Sequence, residues 1–129
     1  MTRTKPCKER VDEHWKSRRK DFRKFIEADD YEELDQYILE VNHEEAVPAV
    51  SPKGLHLQHA PYDRILISWG GPSEEIRYYQ DNSAEFVLLD WGDKAEITIA
   101  GEGAIPEDER VAEFLRSYFI DILEAGTSV

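Results

Sequence analysis

Cysteine occurs once in the 129 residues, at Cys7. That excludes an internal disulfide and makes a reducing cytoplasm the expected compartment. The sequence opens without the charged-then-apolar leader used for secretion, which points the same way. Long apolar runs are lacking too. The longest, such as Phe86 to Leu89, are far too short to cross a bilayer. Signatures of catalysis and cofactor binding are equally scarce: HExxH, CxxC, GxSxG and a glycine-rich phosphate loop are all missing. Basic residues are few after position 24. Aromatic residues are plentiful, with three Trp, six Tyr and five Phe, which argues for a packed core, not an acidic disordered chain.

The scarcity of positive charge is uneven, and this is the most informative feature of the chain. Residues 1–24 hold ten Lys/Arg against four acids, a balance of +6, while residues 25–129 hold six against twenty-four, a balance of −18. The total is −12. Such asymmetry bears on partners and solubility, not on fold.

The hydrophobic period divides the chain. Val11, Trp15, Phe22, Phe25 and Ile26 recur at helical spacing and predict a basic amphipathic helix over 8–28. Asp30 is placed to cap a second, acidic helix over 30–42, with Glu33 at the capping-box position and Tyr31, Leu34, Ile38 and Val41 on one face. A loop around Pro48, Pro52 and Gly54 follows. Beyond it the period becomes alternating, predicting four or five strands: Leu55–His59, Asp63–Trp69, Glu75–Gln80, Glu85–Trp91 and Lys94–Ala100. Turns are expected at Gly70–Ser73, Asp81–Ser83 and Gly92-Asp93. Pro106 followed by three acids opens a last helix over 106–124, with Gly126 as its stop. The expectation is one α+β domain: an antiparallel four- to five-stranded meander covered by two N-terminal helices and one C-terminal helix.

Individual residues carry little catalytic promise. His56 and His59, with Asp63 nearby, are three potential metal ligands, but residues three apart on a strand face opposite ways, so no metal site is assigned. Ser68 has no base at a recognisable spacing. Cys7 lies among Lys5, Lys8 and Arg10, whose charges are expected to lower a thiol pKa, yet no partner cysteine or base accompanies it. No catalytic residue and no cofactor is assigned, and the chain is read as a non-enzyme.

The stretch Ser68-Trp69-Gly70-Gly71-Pro72, followed by Asp90-Trp91, resembles small acidic proteins of phages and mobile elements that share an S-x-G-G-P turn and a later D-W. The resemblance covers about residues 65 to 92. It implies a setting in which short acidic proteins inhibit host defence, including restriction and CRISPR complexes. Structure accounts for the motif as well. Gly-Gly-Pro makes a turn, Trp69 and Trp91 are expected to fill core or groove space, and Asp90 to bond a backbone amide.

Two functions follow from charge. Asp29, Asp30, Glu32, Glu33, Asp35, Glu40, Glu44 and Glu45 crowd 17 positions and form a candidate partner-binding face. A surface of that density resembles a row of phosphates, so the first expectation is a nucleic-acid mimic inhibiting a basic nucleic-acid-binding complex. The alternative is a nucleic-acid-binding accessory protein that uses Lys16, Arg18, Arg19, Lys20, Arg23 and Lys24. A third use of that helix is internal, packed on its own acidic body or on that of a second copy of the chain. The bland reading of the acidic run is a solvated face.

Overall fold

A computed structural model describes residues 5–45, 47–51, 54–70 and 72–121, with backbone alone over 47–51 and 54–59. Helix α1 (Cys7–Glu27) follows its sequence pattern, burying Val11, Trp15 and Phe22 along one stripe. Pro6 offers no side-chain cap, so the α1 terminus is capped from afar: Asp93 accepts the Cys7 N–H at 2.8 Å. The chain leaves α1 through Asp29, in the left-handed region at φ 51°. Asp30 then caps α2 (Tyr31–Tyr37), its carboxylate accepting the Glu33 N–H at 3.3 Å. The backbone N–H of Asp30 already donates to the Phe25 carbonyl, at 2.9 Å.

Helix α2 is shorter than its sequence pattern predicts. It stops at Tyr37, and the expected last turn is instead strand β1 (Glu40–Glu44). A seven-residue helix has little stability of its own, and Ile38, Leu39 and Val41 fit an extended chain well. Pairing with β4 (Tyr62–Ser68) decides the matter, with Val41 opposite Ile65 and the Leu39 N–H donating to the Leu66 carbonyl at 2.9 Å. The expected loop likewise contains a strand, β2 (Val47–Ser51), paired with β3 (Gly54–His59) in a separate two-stranded sheet. Its register shifts between Val47 and Pro48, where proline has no N–H to give the ladder.

The main sheet is antiparallel throughout, in the order β1-β4-β5-β6-β7, with β5 Ser73–Tyr79, β6 Ala84–Asp90 and β7 Asp93–Ala100. The α+β architecture is as expected. Its fifth strand is β1, whereas 55–59 lies in the smaller sheet. Register sets Ile65, Ile76, Phe86 and Ile97 in a row across one face. Helix α1 lies there, its Trp15 packed on Phe86 with ring centroids 5.4 Å apart. The opposite face buries Leu66 and Val87.

Helix α3 (Pro106–Leu115) also packs on β7, then widens into a π-helical segment, Arg116–Asp121. The buried Tyr78 hydroxyl donates to the Ala112 carbonyl at 2.7 Å, sharing it with the Arg116 N–H. The expected helix end at 124 and the Gly126 stop lie outside the described residues.

Trp91 departs from the expectation of core or groove space, while Trp69 lines a cleft. Trp69 is 74% and Trp91 98% exposed, so neither fills the core. The β6–β7 turn is Trp91-Gly92, one residue earlier than predicted, with φ of 50° and 80° at its two central residues.

Candidate functional site

The α1 arginines of the positive block are held within the fold. Helix α1 lies across the sheet, and all four of its arginines meet carboxylates from elsewhere in the chain. Arg10 donates to Asp90 at 2.7 Å, Arg18 to Glu74 at 2.6 Å and Arg19 to Asp108 at 2.7 Å, and Arg23 pairs with Glu107 and Glu27. Of the candidate nucleic-acid-binding residues, Lys16 pairs with Asp12 at 2.9 Å. Lys20 and Lys24 are left exposed, with no ion pair among the described residues. The helix packs on its own acidic body, the third use considered above.

Glu74 is the hub of this docking. It shares the helix-facing side of β5 with Ile76 and Tyr78 and is 2% exposed. Its carboxylate accepts hydrogen bonds from Arg18, His14 and the Ser68 hydroxyl, the last at 3.2 Å. Arg18 reaches on to the Tyr37 hydroxyl at 2.8 Å, which donates to Asp21 at 2.6 Å. Burial, aided by Asp21, pushes the Tyr37 phenol up to about 12. Beside this network lies an open cleft of about 630 Å³, walled by Glu13, Ser17, Trp69 and Pro72. Serine, carboxylate and imidazole meet here, but the carboxylate stands in the middle. Among the described residues His14 bonds Glu74 and not Ser68, whose hydroxyl donates to the same carboxylate, so the three do not form a serine–histidine pair.

Glu75, the next residue, points to the other face and pairs with Arg77 at 2.7 Å and Arg64 at 3.8 Å. Adjacent glutamates therefore serve opposite faces. Sequence reasoning missed both as buried ion-pair centres, although an acid in step with Ile76 and Tyr78 was a signal for Glu74.

The acidic candidates separate into two groups. Asp29, Glu32, Glu33 and Asp35 are exposed around α2, Asp30 is half-buried as its cap, and among the described residues none of the five has an ion pair. Asp29 accepts from the Tyr31 hydroxyl at 3.1 Å, and the Asp35 carboxylate bonds the Tyr118 phenol. Glu40 and Glu44 instead lie on β1 beside Arg64, each 3.7 Å from it, and Glu45 pairs with His43 at 3.1 Å. These three are partly neutralised.

Several smaller expectations are corrected. Cys7 is fully buried, and burial together with Asp93 raises its thiol pKa, outweighing the lowering by Arg10. Asp90 bonds the Arg10 guanidinium, and Asp93 takes the backbone-amide role instead. Hydrogen bonds from Cys7 and Lys94 hold the Asp93 carboxyl below its ordinary value. His56 and His59 have side chains outside the described residues. Asp63 pairs with His43 at 2.8 Å, and among the described residues no group of three metal-ligating side chains converges. No helix among them is long and apolar enough to cross a membrane. Comparison with protein-family models, curated proteins and solved structures yields no match.

Proposed function

We propose that the protein is a non-enzymatic interaction protein whose acidic α2 segment imitates a nucleic-acid backbone and occupies the cationic groove of a nucleic-acid-binding complex. The observation that carries this reading is the charge density of Asp29–Asp35. Five carboxylates without ion pairs fall in seven residues, a span of about 10 Å at the helical rise. That is one charge per ~2 Å, close to the ~1.7 Å spacing along duplex DNA. The arrangement of α1 supports it. With its guanidinium groups held by the protein's own carboxylates, the basic helix offers phosphates its exposed lysines, such as Lys20 and Lys24, and no free arginine, which weakens the alternative. A defence complex of a phage host fits such a partner, on the strength of the Ser68–Pro72 and Asp90-Trp91 resemblance. Association would be fast and salt-sensitive, as electrostatic steering requires.

The test is capture of a basic partner from host lysate, with release by duplex DNA and by salt. Changing Asp29, Glu32, Glu33 and Asp35 to Lys, while keeping the Asp30 cap, is expected to abolish capture. Direct retention of duplex DNA by the unmodified protein, or capture by the folded variant, overturns the reading.

A further inference from the structure

Three large apolar side chains stand exposed at one end of the main sheet. Trp69 follows β4, Trp91 joins β6 to β7, and Leu39 precedes β1 where it pairs with that end of β4. Leu39 is 57% exposed, and both indoles are more so. The two tryptophan turns are separated by two strand spacings, about 10 Å. Trp91 is held in the left-handed region, where a bulky residue is strained and Asn or Gly would sit at lower cost. A strained, wholly exposed indole contributes nothing to the core. Its placement calls for an external contact.

Trp69 supplies the direction of that contact. It walls the cleft with Pro72, and Glu13 lies in the same wall with no side-chain hydrogen bond or ion pair among the described residues. Glu74, at the base, is already held by Arg18 and His14. The cleft therefore presents one unpaired carboxylate beside an open indole face, the pair of groups that suits a guanidinium or ammonium. The Glu74–Arg18–Tyr37 hydrogen-bond chain links it to the end of the acidic helix.

We propose that this cleft seats a cationic side chain of a basic partner protein, between the Trp69 ring and the Glu13 carboxylate, with Trp91 and Leu39 covering the flanking partner surface. The proposal rests on the reading above in taking the partner to be cationic, and it adds a site that the acidic helix alone does not provide. Central aromatic anchors flanked by charge are the usual hot spots of protein interfaces.

The experiment is an NMR titration of the full ¹⁵N-labelled chain with a hexa-arginine peptide, and in parallel with hexa-citrulline, which has the shape without the charge. Hexa-arginine is expected to shift the Trp69 indole N–H saturably and to leave the buried Trp15 indole unmoved. Trp69→Leu and Glu13→Gln, both at the surface, are each expected to weaken binding at this site by about 2- to 5-fold, the scale of an exposed cation–π contact. For Trp69→Leu, the readout is the backbone amides of Ser17 and Ser68. A still Trp69 indole with moving α2 amides overturns the anchor and leaves the acidic-helix reading standing. Equal shifts with hexa-citrulline also overturn it. A moving Trp69 indole with still α2 amides supports the anchor and counts against that reading.

Discussion

Replacing Glu74 by alanine removes the carboxylate to which α1 is tied through two side chains. The residue is 2% exposed. Its loss leaves the Arg18 guanidinium with the Tyr37 hydroxyl and no carboxylate, deprives His14 of its acceptor, and leaves the Ser68 hydroxyl with the Pro72 carbonyl. Breaking a fully buried ion pair costs about 3–5 kcal/mol. The Arg18 and His14 side chains retain 27% and 30% of their exposure, so water recovers part of that. The expected loss is about 2–3 kcal/mol, a large share of the roughly 5–15 kcal/mol that holds a domain together. With a urea dependence of about 1.5 kcal/mol per molar, the unfolding midpoint should fall by about 1.3–2 M. Replacing the pair apolarly, as Glu74→Leu with Arg18→Met, should recover most of the loss, because no charge is then stranded. A Glu74→Ala loss below about 0.5 kcal/mol, or a double variant no better than the single, would refute the assignment of Glu74 as the electrostatic hub.

Four further outcomes are expected. Trp91→Asn should stabilise the protein by about 0.5–1 kcal/mol in the same unfolding assay, since it relieves left-handed strain and forfeits no burial; destabilisation would show that Trp91 packs on something. Cys7 should resist a thiol reagent in the native state and react on unfolding, and prompt native reaction would contradict its burial. Tyr78→Phe should cost only about 0.5–1.5 kcal/mol, because the Ala112 carbonyl keeps the Arg116 N–H, whereas a loss above 3 kcal/mol would mean that the hydroxyl holds the π-helical turn in place. The Asp63 hydrogen bond raises the His43 pKa above its ordinary 6.5. Its stabilising effect is therefore complete below about pH 6.5 and fades as pH rises through the raised value. An NMR titration should show this midpoint falling in Asp63→Asn, and an unmoved midpoint would remove the pairing from consideration.

What the sequence determined by itself was wherever local pattern and burial agree. Val11, Trp15 and Phe22 at helical spacing specified α1, Pro106 and its acids opened α3, and the alternation from Ile65 to Ile99 specified the strands. Asp30 announced its helix cap. The closing turn of α2 was not legible, because Ile38, Leu39 and Val41 suit helix and strand alike, and only the unpaired edge of β4 chose between them. Nor was the fate of the charges. A row of arginines on a helix reads the same whether it faces phosphate, solvent or the protein's own carboxylates, and what decides is which distant acids the sheet register brings beneath it. Packing α1 across the sheet and beside α3 set Asp90 and Glu74 of the strands and Asp108 and Glu107 of α3 opposite its arginines, while Asp29–Asp35 met no cation among the described residues. Tertiary structure also turned Trp69 and Trp91 outward. Hydrophobicity predicts burial only where the chain has a surface to cover the side chain, and these two sit on hairpin tips beyond the reach of the core.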